Sequence, residues 1–488
     1  MDTSPVVTPK ETLRTDAVVI GSGPGGYVCG IRIGQLGKQV IVVEKESPGG
    51  VCLNVGCIPS KALITAAKTF DKIGHAGTMG IVVDKPRMDI KRLQAWKGEI
   101  VSKQTAGVAS LIKGAGGKLL IGEATIVGPN RVEVKTRDGL IAIEAGAIVV
   151  ATGSRPIQIP GFAVDNKKIL DSTGGLALDE VPKRLVVIGG GYIGLELGMM
   201  WSKLGAAVTV LEGTPQLLPG NDPEVVNVVA RKMKKLGIET FLEAKASGWR
   251  DVDGGPSGSI EVTFETKDGN KTVLCDKVLV TVGRRPNSEH LGLEKVGVKI
   301  ERGFVPTDRQ MRTNVPSIFA IGDVQGQPML AHKASKDADV AAEVICGHKA
   351  EMDARVIPAV IFTDPEISTA GLSEQEAQQK ATAAGRKIIV AKFPFGGLGR
   401  AMTQMETDGF VKYVADAEDQ TILGVQIVGP GASDLISEAA LAIEMGAALG
   451  DIALTVHPHP TLGEAMMEGA KSALGESPHL IGGGMRRK

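Results

Sequence analysis

Two cysteines five residues apart, Cys52 and Cys57, are the side chains in this sequence best suited to redox chemistry. They lie in the run Gly-Gly-Val-Cys-Leu-Asn-Val-Gly-Cys-Ile-Pro-Ser-Lys, residues 49–61. In a regular helix, α-carbons five residues apart are separated by roughly 8 to 9 Å, which exceeds the limit of about 7 Å for a disulfide. Pro59 lacks an amide proton and disfavours helical angles at Ile58, so we predict an irregular helix start here. The spacing leaves two alternatives, a reversible disulfide or two separate buried thiols.

A histidine and a glutamate near the end of the sequence are suited to acid–base chemistry. His459 and Glu464 lie in the run His-Pro-His-Pro-Thr-Leu-Gly-Glu, residues 457–464. The chain is expected to turn at Pro460 before a helix that starts near Thr461, which brings the two side chains together. A carboxylate fixes the tautomer of a histidine and stabilises its imidazolium, as a general base for thiol chemistry requires. A structural pair of histidines is the alternative.

A glycine-rich turn before the cysteines is typical of a dinucleotide site. Such glycines allow a tight turn, close approach of the backbone to a pyrophosphate and close packing of helix on strand, and the helix N-terminus supplies amide donors. Glu44 follows the next predicted strand, at the right separation for an acid that accepts ribose hydroxyls. The turn comprises Gly21, Gly23 and Gly26, between a predicted strand at residues 17–20 and a predicted helix at residues 27–36.

The same pattern recurs 168 residues later in the chain. Gly21 and Glu44 have counterparts in Gly189 and Glu212, and the intervening glycines match as well. We therefore predict two dinucleotide sites; the alternative is a pair of glycine-rich turns without a ligand. Residues 213–218 contain no cation that would bind a 2′-phosphate, so the second site favours NAD over NADP. The second turn comprises Gly189, Gly191 and Gly194.

Later segments suggest where the chain passes between domains. Residues 118–150 alternate like small antiparallel strands, and the run that ends at Pro156 is a plausible linker. Residues 284–287 form a second linker after the second nucleotide unit. A predicted strand then leads to Gly322-Asp323 and to a helix from about residue 330 to 346. Asp323 is placed to hold a sugar or ribityl chain; the alternative is that its carboxylate only caps the turn.

Composition excludes several classes of function. Lysine plus arginine equals aspartate plus glutamate at 55 each, so overall charge favours neither nucleic acid nor an anionic membrane. Five cysteines in 488 residues are too few for a disulfide scaffold. No run of eighteen apolar residues predicts a membrane span, and residues 1–15 lack the apolar core of a secretory signal. We expect a cytoplasmic protein of three or four domains.

Taken together, these motifs resemble those of the pyridine nucleotide-disulfide oxidoreductases, and in particular the members that oxidise dihydrolipoamide with NAD. The likeness runs from the first glycine turn through residues 49–61 and Asp323 to His459 and Glu464. It implies an α/β fold with two Rossmann-like dinucleotide-binding domains, for FAD and NAD, a central domain and an α+β C-terminal dimerisation domain. The predicted boundaries are 1–155 for the FAD domain, 156–284 for the NAD domain, 285–355 for the central domain and 356–488 for the dimerisation domain.

The resemblance also implies roles for the catalytic residues. Cys52 would exchange with the substrate thiol, and Cys57 would lie as a thiolate against the flavin. His459, held by Glu464, would act as the base at the active site of the other subunit of a homodimer. Each step needs a thiolate rather than a thiol, which explains the need for a base and a positive charge nearby.

Further residues are assigned to the cofactors by the same resemblance. Lys61 would lie near the flavin N5 with Glu196 as its buried partner, and Tyr192 would either gate the nicotinamide site or fill it. The implied FAD residues are Gly21, Gly23, Gly26, Glu44, Lys61, Gly153, Asp323 and Ala331, and the implied NAD residues are Gly189, Gly191, Gly194, Glu212 and Gly283.

The resemblance leaves related activities to be weighed. A glutathione reductase would need cations for the NADP phosphate, and enzymes with an extra C-terminal thiol pair would need a cysteine after Cys346. A soluble transhydrogenase would lack the cysteine pair. A mainly structural subunit docked on a multienzyme complex would have no use for the complete motif set. The implied partners are lipoyl domains and the core acyltransferase of 2-oxo acid dehydrogenase complexes, or the glycine cleavage carrier protein.

The residues after Glu212 predict which nicotinamide cofactor the chain uses. We expect NADH to reduce the protein-bound flavin far faster than NADPH does, because the Glu212 carboxylate would repel a 2′-phosphate. Stopped-flow measurements of flavin bleaching with each cofactor test this. A preference for NADPH would overturn the assignment of Glu212.

Overall fold

The computed structural model of the protein describes residues 9–252, 258–480 and 486–487. Within these residues the strands are β1 (Glu11–Ile20), β2 (Val40–Glu44), β3 (Lys118–Ile121), β4 (Glu123–Gly128), β5 (Arg131–Thr136), β6 (Gly139–Val150), β7 (Ser154–Pro156), β8 (Ile169–Leu170), β9 (Arg184–Ile188), β10 (Ala207–Leu211), β11 (Glu239–Phe241), β12 (Lys245–Asp251), β13 (Ile260–Thr266), β14 (Gly269–Cys275), β15 (Lys277–Val280), β16 (Arg284–Pro286), β17 (Ile318–Ala320), β18 (Ala359–Ile361), β19 (Glu366–Gly371), β20 (Ile388–Pro394), β21 (Phe410–Asp416), β22 (Ile422–Gly429) and β23 (Arg486–Arg487).

Thirteen α-helices lie in the same described ranges, with short 3₁₀ turns between some of them. The α-helices are α1 (Pro24–Gln35), α2 (Gly50–Asn54), α3 (Cys57–Gly74), α4 (Ile90–Gly114), α5 (Ser172–Leu176), α6 (Tyr192–Lys203), α7 (Pro223–Lys235), α8 (Ala331–Ile345), α9 (Glu374–Ala383), α10 (Gly399–Thr403), α11 (Ala432–Met445), α12 (Leu449–Leu454) and α13 (Glu464–Leu474).

The first sheet has the order β3-β2-β1-β6-β5-β4, and β17 also pairs with β6. Strands β3, β2, β1, β6 and β17 run parallel, whereas β4, β5 and β6 form the predicted antiparallel meander. Because β1 and β17 are parallel strands of one sheet, the first glycine turn and Asp323 follow strand ends at the same edge. Helix α8 packs against α1, so residues 318–345 share a core with the N-terminal segment.

The second sheet repeats the first nucleotide unit in its local order. Its strands run parallel in the order β11-β10-β9-β15-β8. The end of β1 at Ile20 corresponds to the end of β9 at Ile188, and α1 corresponds to α6. The sequence repeat is therefore a structural repeat. Strands β12, β13 and β14 form a separate antiparallel sheet beside it.

The two predicted linkers pair with each other. Strand β7 runs antiparallel to β16, so the chain leaves the first nucleotide unit and re-enters it along one short two-stranded ribbon. Thr152 and Asn287 are joined by two hydrogen bonds beside this ribbon, from the Thr152 hydroxyl to the Asn287 carbonyl at 2.6 Å and from the Asn287 amide to the Thr152 carbonyl at 3.0 Å.

The C-terminal part of the chain forms a mixed helix and strand layer around its own core. Its sheet has the order β18-β19-β22-β21-β20-β23, with antiparallel neighbours throughout. Helices α11 and α13 cover one face of the sheet. Helix α11 ends at Met445, where Gly446 adopts a left-handed conformation.

One helical segment, residues 50–74, is long and apolar enough to span a membrane by composition alone. The core helix of a soluble protein passes the same test, so this observation is weak. In this fold the segment is interrupted at Gly56 and packs against α4 and α6.

Lys412 on β21 joins the C-terminal sheet to the start of α7. Its ammonium nitrogen lies 2.8 Å from Asp222, 2.6 Å from Glu224 and 2.8 Å from Glu374, and its side chain is 1% exposed. Burial would lower the pKa of Lys412, but the bonds to these carboxylates raise the pKa above its ordinary value. The three acids thus converge on a buried ammonium group, which holds two parts of the fold together.

We expect Lys412→Met to lower the free energy of unfolding by about 3–5 kcal/mol, because it leaves three partly buried carboxylates without their shared cation. Urea denaturation of the dimer at neutral pH measures the effect. Lys235→Met is the matched control, since Lys235 forms an exposed ion pair with Asp408 at 3.1 Å and such pairs contribute about 0–1 kcal/mol. Equal losses in the two variants would contradict the role of Lys412.

Candidate active site

The two cysteines lie on either side of a break between α2 and α3. Cys52 is in the middle of α2, and Cys57 is the first residue of α3. The break occurs at Val55 and Gly56, where Gly56 has φ −134° and ψ −109°. The predicted irregular helix start is confirmed, because two short helical segments rather than one regular helix carry the pair.

The two cysteines are thiols in this structure, and the Cys52 thiol donates a hydrogen bond to the sulfur of Cys57. This bond raises the pKa of Cys52, and burial raises it further. The same bond lowers the pKa of Cys57 to about 7; burial opposes this shift and the Lys61 ammonium reinforces it. These opposite shifts favour the thiol form of Cys52 and the thiolate form of Cys57.

The cysteine segment is bonded directly to the first glycine turn. The backbone amide of Gly49 donates to the carbonyl of Ser22 at 2.9 Å. Gly50 has φ +57°, and a Cβ at that position would lie 2.7 Å from the α-carbon of Gly23. Only glycine allows this approach, so the sequence Gly49-Gly50 brings the two cysteines next to the first nucleotide site.

Buried glutamates hold both glycine turns in the same way. Glu44 accepts hydrogen bonds from the backbone amides of Ser22 and Glu46, both at 2.9 Å. Glu212 accepts from the amides of Gly190, at 2.6 Å, and Thr214, at 2.7 Å. The two amides at the first turn correspond to the two at the second turn by the offset of 168 residues. Each acid therefore holds the shape of its turn, in addition to its predicted role in binding a ribose.

The geometry of each turn fits a dinucleotide phosphate. Helices α1 and α6 begin after Gly23 and Gly191, and neither helix start receives a hydrogen bond from a capping side chain. A Cβ on Gly23 or Gly191 would meet nothing within 4 Å, whereas a Cβ on Gly26 would lie 1.9 Å from the Gly21 carbonyl and one on Gly194 would lie 2.2 Å from the Gly189 carbonyl. The turns are closed on the protein side and open at the helix N-termini, where phosphate binds.

Lys61 and Glu196 form the predicted ion pair, and a third segment of the chain also bonds Glu196. The Lys61 ammonium lies 2.8 Å from one oxygen of Glu196, which is 4% exposed. The other oxygen accepts from the backbone amide of Phe362 at 2.8 Å, and the ammonium lies 4.4 Å from the centre of the Phe362 ring. Glu196 therefore joins the cysteine helix, the second nucleotide helix and the C-terminal segment.

Asp323 lies at the edge of the first sheet and contacts the ribbon that links the two nucleotide units. Its carboxylate accepts from the hydroxyl of Ser154, which in turn accepts from Arg284 at 2.8 Å. The predicted cofactor glycines, Gly153 and Gly283, directly precede the two ribbon strands and have φ of +68° and +125°. Ala331 is the first residue of α8, and that helix begins without a side-chain cap.

Tyr192 is the first residue of α6 and is 43% exposed. Burial of its ring raises the pKa of the phenol; Arg284 opposes this shift, and the carboxylates of Asp323 and Glu196 reinforce it. The residues that act on Tyr192 come from both nucleotide units. Charged residues of both nucleotide units therefore lie near the Tyr192 phenol.

The predicted histidine–glutamate pair is formed, but it lies apart from the cysteines of its own chain. Nδ1 of His459 lies 2.9 Å from Glu464, and the His459 side chain is 78% exposed. Partial burial would raise the pKa of Glu464, yet its bonds with His459 and with the Thr461 amide hold the pKa below its ordinary value. Among the described residues, no recorded contact joins His459 to Cys52 or Cys57.

Three site residues were not found from the sequence. Phe362 contributes a backbone amide and a ring, Ser154 and Arg284 contribute the bonds that hold Asp323, and none of the three stands in a motif. The run Arg284-Arg-Pro-Asn287 was identified only as a linker. Its arginine carried a weak signal, because a cation that follows a strand and Gly283 faces the carboxyl edge of the sheet.

Two family models and several known proteins match the chain. A model of the pyridine nucleotide-disulphide oxidoreductases matches residues 15–338, and a model of their dimerisation domain matches residues 357–470. The dihydrolipoyl dehydrogenase of Geobacillus stearothermophilus is 48% identical over 470 residues, which cover 96% of this chain and 98% of the relative. The dihydrolipoyl dehydrogenase of Halobacterium salinarum is 46% identical over 472 residues, with the same coverage.

Solved structures agree with these relatives. LpdA from Mycobacterium tuberculosis has a TM-score of 0.85 at 27% identity, and the match covers 94% of this chain and 99% of that one. The flavoprotein disulfide reductase RclA from Escherichia coli has a TM-score of 0.82 at 25% identity with the same coverage.

The lowered pKa of Cys57 predicts the pH range in which this cysteine becomes reactive. In the dithiol protein, we expect alkylation of Cys57 by iodoacetamide to rise with pH around a midpoint near about 7. Lys61→Met should move this midpoint upward, because it removes the positive charge that favours the thiolate. Mass spectrometry of the modified peptide measures the midpoint.

Lys68→Met is the matched control for this experiment. Lys68 lies on the same helix and pairs with Glu406 at 3.7 Å. An unchanged midpoint in Lys61→Met, or an equal shift in Lys68→Met, would show that Lys61 does not act on Cys57.

Proposed function

Because this chain belongs to the pyridine nucleotide-disulphide oxidoreductase family, we propose that it oxidises protein-bound dihydrolipoamide to lipoamide through the Cys52–Cys57 disulfide. It is an NAD-dependent flavoprotein oxidoreductase that acts on a sulfur group of its donor and uses FAD and NAD. The observation that carries the residue assignment is the bond between Gly49 and Ser22, since it places a low-pKa cysteine against the first nucleotide turn.

The proposed thiol chemistry begins with the disulfide form. His459 takes a proton from one thiol of dihydrolipoamide, and the resulting thiolate attacks Cys52. A mixed disulfide forms and the bond between Cys52 and Cys57 breaks, so that Cys57 leaves as a thiolate. The favourable pKa of Cys57 suits it to this role as a leaving group.

The second half of the exchange closes the lipoamide ring. The remaining substrate thiol attacks the substrate sulfur of the mixed disulfide, Cys52 is released and takes the proton held by His459, and His459 then accepts the proton of the attacking thiol. The two thiols of the substrate have then been oxidised to a disulfide, and the protein cysteines have been reduced. FAD, when bound, would supply the acceptor for the two electrons released as the Cys52–Cys57 disulfide re-forms, and NAD would receive them as a hydride.

The chain's own residues supply the positions of both cofactors. FAD is assigned to the first turn, since the cysteine segment is bonded there and Asp323 lies at the same sheet edge. NAD is assigned to the second turn, where Glu212 is followed by no cation. Lys61 places a positive charge between Cys57 and Glu196, and Tyr192 lies where it would separate the flavin from the nicotinamide.

The protein is a homodimer, because its C-terminal part matches the dimerisation domain of this family. We propose that His459 acts on the cysteines of the partner subunit, because its side chain is 78% exposed and has no recorded contact with its own Cys52 or Cys57 in the described part of the chain. The C-terminal part also exposes large apolar side chains that a partner would cover, namely Leu441, Met445, Leu454 and Val456.

The domain division and the wider setting are also proposals. We propose the boundaries 1–155, 156–284, 285–355 and 356–488; the two nucleotide sheets and the C-terminal sheet support them, while the central segment shares its core with the first sheet. The proposed partners are lipoyl domains and the core acyltransferase of 2-oxo acid dehydrogenase complexes, or the glycine cleavage carrier protein, in the cytoplasm. A steady-state comparison of dihydrolipoamide and NAD with oxidised glutathione and NADPH tests the substrate class.

Mixed dimers test the proposed active site across subunits. We expect His459→Gln and Cys57→Ser homodimers to lose dihydrolipoamide oxidation by a factor of about 10² or more. A mixed dimer of the two variants should regain activity, because one of its two sites combines intact cysteines with an intact histidine. Steady-state assays of purified mixed dimers measure the recovery.

Flavin reduction by NADH is the control, since it does not need His459 and should remain intact in the His459→Gln homodimer. Inactive mixed dimers would show that histidine and cysteines of the same subunit work together.

A further inference from the structure

A second histidine, His457, lies two residues before His459 and has a different environment. The loop between α12 and α13 exposes most of its side chains but buries His457: Val456 is 92% exposed and the His459 side chain is 78% exposed, whereas the His457 side chain is 7% exposed. His457 is therefore the inward-facing anchor of the loop that presents His459.

Both ring nitrogens of His457 have partners. Nδ1 lies 2.9 Å from the backbone carbonyl oxygen of Thr455, and Nε2 lies 2.9 Å from a carboxylate oxygen of Glu438 on α11. A carbonyl oxygen only accepts, so Nδ1 must carry a hydrogen. A second hydrogen is shared between Nε2 and Glu438. Whichever of the two carries it, neither ring nitrogen of His457 is left as a base.

The His457 ring also lies against the residue that precedes Glu464. A Cβ built on Gly463 would lie 3.6 Å from Cδ2 of His457, which is ordinary van der Waals distance. The ring thus lies close to the backbone at Thr455, before His459, and at Gly463, after it. Glu438 in turn lies near the buried phenol of Tyr413, whose pKa is raised by burial and by the Glu438 charge.

We propose that Glu438 and His457 form a second histidine–carboxylate pair that positions the loop carrying His459 and transfers no proton itself. The two histidine–carboxylate pairs have different roles. His459 keeps a nitrogen free for the substrate thiol, while His457 uses both nitrogens to fix the loop to α11. This inference rests on the proposed role of His459 as the base.

The test compares three variants of the flavin-loaded dimer. Glu438→Ala should lower kcat/KM for dihydrolipoamide by about 10- to 100-fold, because a base displaced by a fraction of an ångström loses that much. Glu438→Gln should recover to within about threefold of the wild type, since a glutamine amide can still bond Nε2. Asp434→Ala, which removes an exposed acid one turn earlier on α11, is the matched control and should equal the wild type.

Two readouts separate positioning from proton transfer and from general damage. Reduction of the flavin by NADH should stay within about twofold of the wild type in all three variants. The acid limb of the pH profile of kcat/KM should persist in Glu438→Gln, because it belongs to His459. Loss of that limb would make His457 the base, and full activity in Glu438→Ala would remove the positioning role; either result overturns the proposal.

A chemical readout keeps the test independent of activity. Diethyl pyrocarbonate modifies an accessible, unbonded imidazole nitrogen, so His457 should be protected in the wild type and become reactive in Glu438→Ala, as measured by mass spectrometry. Modification of His457 in the wild type would overturn the proposal even if Glu438→Ala fails to fold. Absence of dihydrolipoamide oxidation in the wild type would instead refute the proposed function and leave this readout unaffected.

Discussion

The carboxylate of Glu196 is the point at which the three functional parts of the chain meet. One oxygen bonds the Lys61 ammonium on the cysteine helix, the other bonds the Phe362 amide of the C-terminal segment, and Glu196 itself stands on the second nucleotide helix. A buried carboxylate that lost either donor would be costly, because desolvation of the charge is offset only while both bonds are made. The cysteine helix, the second nucleotide helix and the C-terminal segment are therefore joined at one side chain.

The duplicated glycine turns solve the same physical problem twice. A turn made mostly of glycines has few side chains with which to hold its shape. In both turns a buried acid from the next strand accepts two backbone amides and supplies the missing restraint. What distinguishes the two sites is their surroundings. The cysteine segment is bonded to the first turn through Gly49 and Ser22, and this contact is the reason that we assign the flavin to the first site.

Differences in charge and exposure give the reactive side chains different roles. Cys57 is favoured as the thiolate because of its hydrogen bond with Cys52 and the nearby charge of Lys61, whereas the pKa of Cys52 is raised, so Cys52 is favoured as the thiol of the reduced pair. His459 is exposed on an outward-facing loop, and His457 is buried below it with both nitrogens bonded. A base that must reach another subunit has to project from the surface, and the surface beneath it has to be rigid.

The sequence by itself determined the local chemistry of this protein. Glycine spacing, the following acids, the cysteine segment with its irregular helix and the pairing of His459 with Glu464 were all predictable, since each depends on residues close together in the chain. Only the tertiary structure decided which distant groups meet: the Phe362 amide on Glu196, the Arg284 and Ser154 bonds that hold Asp323, and the Glu438 carboxylate on His457. Backbone amides and single charged side chains have no spacing pattern, so their partners are set by how helices and sheets pack.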